Sequence, residues 1–504
     1  MTHRAAVTRR LTGPGADGAP MMDVLADLLA AGGDERIARD PASGLNRYGC
    51  GGDPCDDLAA FGASTASVIS RPAQEAVVRA WSGLAGLQAP QDGYAEGAQR
   101  IRRRLAQLCG LPPGAADDTI LAASGTDLHL IAAVLARGDG AAPLIALLPD
   151  PAETGRGVPD AVAGRSFAEQ SAHGAPGPTR QPLAGVPPGE IVAIALRELD
   201  GRPRAIDAVD ADFEQACQAA LRRAPRVLLC LVDVSKTGLV APSLACAARL
   251  KARFGEALTV LVDACQFRLS PQTLRTYLAQ DFLVAITGSK FVGGPAFCGA
   301  LFAPPMSAAR LRRTPLPPAL AAYSGRGDWP VGYAGAGALP DAPNLGLLLR
   351  WEAALHELTA FSALPATSVA ALARAFAGQV TTAIEGLTGL ERLVAPELAR
   401  PHPGDWDAAP TIFAFLPLGA DGPLDPVRTA ELHRRLRAEP GGGIQLGQPV
   451  AVGARQGRPL TALRLSLSAR LVVEALATPD GAPRVISRAR HALHTTARLA
   501  AALA

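Results

Sequence analysis

Lysine is nearly absent from this chain. Its 49 basic side chains are 46 arginines and three lysines, Lys236, Lys251 and Lys290. Arginine stays protonated and forms no imine, whereas a lysine amine can lose its proton and attack a carbonyl. The three lysines are therefore enriched in candidates for amine chemistry, although Lys251, in the amphipathic pattern SLACAARLKARFG, reads as a solvated helix charge. Long apolar runs are missing too. None approaches the roughly eighteen residues of a membrane helix, so no membrane contact is expected. The charged start, MTHRAAVTRRLTGPGADGAP, has no apolar stretch behind it and reads as a loose arm rather than a secretion signal. Net charge is only +3 and the arginines are scattered among acids, which argues against nucleic-acid partners. No cysteine follows Cys298, and Cys50 and Cys55 lack a neighbouring His or second Cys pair at zinc spacing. Free thiols in the reducing cytoplasm, and no metal, are the expectation.

From about residue 119, short apolar runs alternate with helical patterns. Strands are expected at Thr119–Ala123, Pro143–Leu148, Ile191–Leu196, Arg226–Val232, Leu258–Val262, Leu283–Thr287 and Cys298–Phe302. Runs such as VLLCLV are continuously apolar, as strands covered on both faces require. The pattern predicts an α/β domain with a mainly parallel sheet over residues 91–343. Residues 1–90 read as an arm and part of a small domain, and residues 344–504 as a smaller α+β domain. Asp150–Gly189, rich in Gly and Pro, reads as a long loop or an insertion over a cleft.

Three pieces of the α/β part suit one ligand. Ser124, Gly125 and Thr126 stand between a strand and a helix, where free N–H groups and the helix dipole favour a phosphate; they are equally ordinary helix-capping residues. Asp263 ends the strand LTVLVD, at the edge where open parallel sheets bind ligands, and its charge needs either a cationic partner or a helix to cap. In TGSKFVGGP, Lys290 follows the strand LVAIT, with Thr287 and Ser289 as hydroxyl donors and glycines clearing space beside it.

In this order the pieces resemble the fold-type I pyridoxal-phosphate (PLP) enzymes, and among them the class V aminotransferase and cysteine desulfurase group. The likeness spans roughly residues 90 to 470 on short motifs. It implies the aspartate-aminotransferase-like fold and PLP as cofactor. It also implies a phosphate site at Ser124-Gly125-Thr126, with Thr287 and Ser289 adding donors. Asp263 matches the partner of the pyridine nitrogen, Gln266 the partner of the ring hydroxyl, and Lys290 the Schiff-base lysine before Gly294-Pro295. Arg464, in Arg464-Leu465-Ser466, resembles the arginine that grips a substrate carboxylate. Period two places Arg464, Ser466 and Ser468 opposite Leu463, Leu465 and Leu467, facing either a cleft or plain solvent.

The group's pattern is broken in three places. The desulfurase cysteine is missing, which speaks against persulfide chemistry. Lys236 stands where the group often has Asn near the cofactor, either as a second amine in the site or as an outward turn lysine. No ring that would stack on PLP is found near Pro149–Val158, where Glu153 and Thr154 stand instead. The resemblance implies an enzyme acting on an amino acid or related primary amine: an aminotransferase or lyase, with decarboxylation as a further choice. A catalytically silent PLP-binding regulatory or partner-binding protein is the competing class. A homodimer is implied, with Tyr323–Gly337 reaching the neighbour's cofactor. Loops Tyr48–Ser67 and Asp150–Gly189 are the candidates for side-chain selectivity.

Overall fold

The computed structural model describes residues 18–85, 93–138 and 143–503; most of the expected N-terminal arm and the boundary expected near residue 90 lie outside them. Among the described residues, one sheet is built from β1 (Thr119–Ala122), β2 (Leu144–Pro149), β3 (Glu190–Ile194), β4 (Arg226–Asp233), β5 (Val240–Ala241), β6 (Leu258–Ala264), β7 (Leu283–Thr287) and β8 (Gly299–Phe302). The order is β1-β8-β7-β6-β4-β2-β3, with β5 paired to β4 off that path. Strands β3, β2, β4, β6 and β7 run parallel, and β8 is antiparallel to its neighbours β7 and β1. Strand β4 shows why the central runs are apolar throughout. Val227, Leu229 and Leu231 enter one core and Leu228 and Cys230 the other, so neither face can be polar.

Strand β1 leads straight into helix α1 (Gly125–Arg137), which is buried along nearly its whole length. Ser124 caps it, its hydroxyl accepting from the Thr126 and Asp127 amides, and Gly138 ends it at φ 74°, a left-handed conformation that glycine adopts freely. Helix α2 (Leu345–Ser362) rests on the sheet: Trp351 Nε1 donates to the Gly299 carbonyl at 3.2 Å and Arg350 Nε to that of Phe297 at 2.6 Å.

A second, antiparallel sheet follows: β9 (Leu390–Arg392), β10 (Ile412–Gly419), β11 (Gly422–Pro423), β12 (Gly447–Arg455) and β13 (Arg458–Ser466). Its order is β9-β10-β13-β12, with β11 on β10. Early chain joins late chain where Ala59–Ala60 pairs in parallel with Ile444–Gln445. The mainly parallel α/β sheet and a separate smaller sheet are the architecture that the sequence pattern predicts. Asp150–Gly189 is more structured than its composition implies. It holds a short helix, Val158–Val162, and its His173 amide donates to the Ala322 carbonyl at 2.9 Å. No single helix among the described residues is long and apolar enough to cross a membrane.

Candidate active site

The C-terminal ends of β1, β6 and β7 meet, which is where an open parallel sheet places its ligand. Thr287 donates its hydroxyl to the Cys265 carbonyl at 2.6 Å, and Ser289 Oγ lies 3.3 Å from Thr287 Oγ1. A Cβ on Gly125 would fall 2.8 Å from Cys265 Sγ and 3.6 Å from Thr287 Cγ2, so the start of α1 approaches both strand ends as closely as a residue without a side chain allows. Lys290 comes next along the chain. Its carbonyl accepts from Ser67 Oγ at 3.2 Å, while its amine makes no hydrogen bond or ion pair among the described residues. Lys251 is the opposite case: it is paired with Asp281 at 3.0 Å and bonded to the Gly255 and Leu258 carbonyls.

Asp263, at the end of β6, is buried. Burial alone would raise its pKa, but the charge and hydrogen bond of His129, the Lys290 charge and the Cys265 thiol together hold the carboxyl well below its usual range. His129 Nε2 lies 3.3 Å from Asp263 Oδ2. Gln266 is buried beside it. Its Nε2 donates to the Ser64 carbonyl at 3.0 Å and its Oε1 lies 3.4 Å from Arg268 Nε. At the cradle, Ser124 gives its hydroxyl hydrogen to Asp127, whose carboxyl burial pushes up to about 7. Ser124 thus serves as the cap of α1, while the Thr126 hydroxyl makes no hydrogen bond among the described residues.

The turn after β4 brings in Lys236. Its Nζ donates to the Ala152 carbonyl at 3.2 Å. Burial, then the charges of Arg464 and Lys290, bring its pKa down to about 8. It is half-buried, with its amine against the loop after β2. Glu153, in the stretch where a stacking ring was sought, binds Arg197 Nε at 2.6 Å and the hydroxyls of Ser235 and Thr237 at 2.7 Å, fastening this turn to the loop after β2. Arg464 of β13 is buried as well. Its Nη2 donates to Thr65 Oγ1 at 2.9 Å and to the Gln448 carbonyl, and Nη1 reaches the Lys236 carbonyl at 3.4 Å. Its Nε is buried without a partner, and no carboxylate pairs with it among the described residues. The leucines opposite, Leu463, Leu465 and Leu467, lie in the main core as the alternation predicts. Plain solvent exposure of the polar face is overturned: Arg464 and Ser466 are both buried, because the N-terminal segment covers them.

The structure therefore gathers Gly125, Thr126, Asp263, Gln266, Thr287, Ser289, Lys290, Lys236 and Arg464 around one region. Sequence reasoning missed His129 and the segment Ser64–Ser67. A lone His in LHLIAAVLA carries no signal except its place four residues after the cradle glycine, on the same helix face. Tyr48–Ser67 was singled out only as a loop of unknown position; Ser64, Thr65 and Ser67 each touch a site residue. Tyr323, Trp329 and Tyr333 of the stretch Tyr323–Gly337 are buried in this chain's own second core, with Tyr323 against Phe167 at 5.2 Å.

No family model and no curated protein matches the sequence. Solved structures do. The cystine C–S lyase C-DES, with glycine covalently linked to its PLP cofactor, is similar with a TM-score of 0.53 at 15% identity, over 85% of this chain and 95% of its own. The cysteine desulfurase CsdA from Escherichia coli gives 0.52 at 14% identity, over 88% and 95%. A NifS-like protein gives 0.51 at 12%, over 86% and 98%. At these identities the likeness carries the fold: the chain has the aspartate-aminotransferase-like architecture of PLP fold type I.

Proposed function

We propose that the chain is a PLP-dependent enzyme acting on an amino acid or related primary amine, with Lys290 as the cofactor-bearing residue. The observation that carries this reading is the Lys290 amine, without a hydrogen bond or ion pair among the described residues, beside an ionised Asp263 and a hydroxyl-lined helix start. The donor set suits the cofactor group by group. The α1 N-terminus, closed to any Cβ at Gly125, with the Thr126 and Ser289 hydroxyls, suits a phosphate, while the Thr287 hydroxyl hydrogen is taken by the Cys265 carbonyl. Asp263 suits a protonated ring nitrogen, and Gln266 a ring hydroxyl. When bound, PLP supplies an electron sink for negative charge at the carbon bearing the substrate amine.

The chain's own residues supply the rest. Arg464, with its free Nε, holds the substrate carboxylate, and Lys236 adds a second cation beside it. Lys290, once released, carries protons at the carbon next to the amine. The reaction proposed is transamination or a lyase step, with decarboxylation as the further choice; no cysteine after Cys298 is there to take up sulfur. The assembly proposed is a homodimer in the cytoplasm, its contact including Tyr323–Gly337, where Val331 is fully exposed.

The test is borohydride reduction of the PLP-loaded protein followed by peptide mapping, with a screen of amino acids for a change in the cofactor's absorption. The label is expected on Lys290. A label on Lys236 or Lys251 overturns the assignment, and a loaded protein whose spectrum responds to no amine is a silent PLP-binding protein.

A further inference from the structure

His129 sits between the two halves of the site and is absent from the mechanism above. It lies one helical turn after Gly125, so both residues share a face of α1. Its ring faces two acceptors. Nδ1 lies 2.7 Å from the Gly125 carbonyl oxygen and Nε2 lies 3.3 Å from Asp263 Oδ2. Both partners are acceptors without a hydrogen to give, since the carbonyl has none and Asp263 is held ionised. An imidazole carrying a hydrogen on each nitrogen suits both acceptors. The groups acting on it are Asp263 from β6 and Lys290 from the turn after β7. Burial, the largest single cause, opposes its charge and Lys290 repels it, yet Asp263 and the Gly125 carbonyl together outweigh both and the His129 pKa stands above its ordinary value.

We infer that His129 is a positioning residue that joins the two anchors of the cofactor site, the cradle glycine and the strand-end aspartate, and fixes Asp263 as an oriented carboxylate. This role rests on the PLP reading. It has a physical rationale in the burial of Asp263. A carboxyl enclosed in apolar surroundings takes up a proton unless a cation stands against it, and a protonated Asp263 could no longer pair with a protonated ring nitrogen. Lys290 cannot hold that place throughout, because its amine is first committed to the cofactor and then to proton transfer. His129 leaves the carboxylate charged whatever Lys290 is doing, and through Gly125 it ties the position of that charge to the phosphate cradle.

The test uses the full chain with aspartate labelled at the side-chain carboxyl carbon, the Asp263 signal being assigned by its loss in Asp263→Asn. Carboxyl shifts are followed against pH in the cofactor-free protein, and PLP affinity is measured separately by equilibrium dialysis. In the wild type, Asp263 is expected to stay ionised through the ordinary carboxyl range. In His129→Leu it is expected to take up a proton at a higher pH, and PLP binding to weaken by about tenfold or more, the loss of a hydrogen bond to a charged group. His129→Gln, which keeps the size and one donor but not the charge, is expected to fall between. An Asp263 that titrates identically in all three proteins, or an unchanged PLP affinity in His129→Leu, overturns the role of His129 while leaving the cofactor reading intact. A wild-type chain that takes up no PLP overturns the cofactor reading, and this role with it.

Discussion

Arg464 Nη1 lies 3.4 Å from the backbone carbonyl of Lys236, so a buried arginine of the small antiparallel sheet and a half-buried lysine of the central sheet's turn stand side by side, and no carboxylate among the described residues forms an ion pair with Arg464. Burial brings Arg464 down to about 10, and burial, followed by the Arg464 charge, brings Lys236 down to about 8, with the Glu153 carboxylate opposing both shifts. Glu153, the carboxylate that acts on both, is itself held by Arg197, which leaves the pair suited to an anion from outside the chain.

Arg464→Ala should therefore separate two substrate kinds. Turnover of amino acids should fall by about a hundredfold, the worth of one or two charge-assisted hydrogen bonds, while amines without a carboxylate are spared and PLP stays bound. Steady-state kinetics with matched amino-acid and decarboxylated substrates read this directly. Equal loss on both kinds removes Arg464 from the carboxylate role.

Lys236 predicts a pH dependence with a definite sign. Its pKa is lowered to about 8, so it is charged below that pH and neutral above it. Substrate carboxylate binding should be strongest on the acid side and weaken as pH rises through about 8. Lys236→Met should bind more weakly at neutral pH and lose this limb. The KM of a carboxylate-bearing amino acid followed across this range decides, since the titration of the substrate's own amine is common to both proteins. A limb that persists unchanged in Lys236→Met shows that another group is responsible.

Asp263→Asn should keep the fold and the cofactor, because an amide fills the same space and can still accept from His129. Turnover should fall by about two orders of magnitude or more, since a neutral amide cannot hold the ring nitrogen protonated. Full activity in this variant excludes the role.

How much of this was legible in the sequence depends on how local each signal is. Strands β4 and β6 were readable because burial on both faces leaves a continuous apolar run, and Lys290 because the chain uses lysine so sparingly. Arg464 was readable by alternation with Leu463 and Leu465, but its burial was not, because the cover comes from Thr65, far off in sequence. That segment is brought in by the pairing of Ala59–Ala60 with Ile444–Gln445, two residues on each side, too short to leave a periodic trace. His129 was hidden for a related reason. On an apolar helix a single His looks like a core residue, and what distinguishes it is Asp263, which only the fold brings near.

The proposed homodimer can be tested through Val331, fully exposed at the centre of Tyr323–Gly337. Its bulky neighbours Trp329 and Tyr333 are buried in the chain's own core, 5.4 Å apart, so the turn is held firmly enough to present an apolar tip. Sedimentation should find a dimer, and Val331→Asp should shift it towards monomer with loss of activity. A monomeric wild type that is active and PLP-loaded refutes the assembly.

Arg400 offers a test of stability rather than of chemistry. It is fully buried with Asp233, to which its Nη1 is paired, and Tyr277 donates to the same carboxylate oxygen at 2.6 Å. Its remaining donors go to the Arg268 carbonyl at 3.0 Å and the Asp407 carbonyl at 3.1 Å. The guanidinium thus ties the end of β4 to the turn after β6 and to the segment leading into β10, behind the turn that carries Lys236. Removing it leaves the Asp233 carboxylate buried with only a phenol for company, and breaking a buried pair in this way costs about 3–5 kcal/mol. Arg400→Ala should therefore lower the urea midpoint markedly. Replacing Asp233 by Asn in the same protein should recover part of the loss, because the uncompensated charge, not the missing contact, is the larger part of the cost. If the double variant is no more stable than Arg400→Ala alone, the loss lies in the carbonyl ties to Arg268 and Asp407 instead.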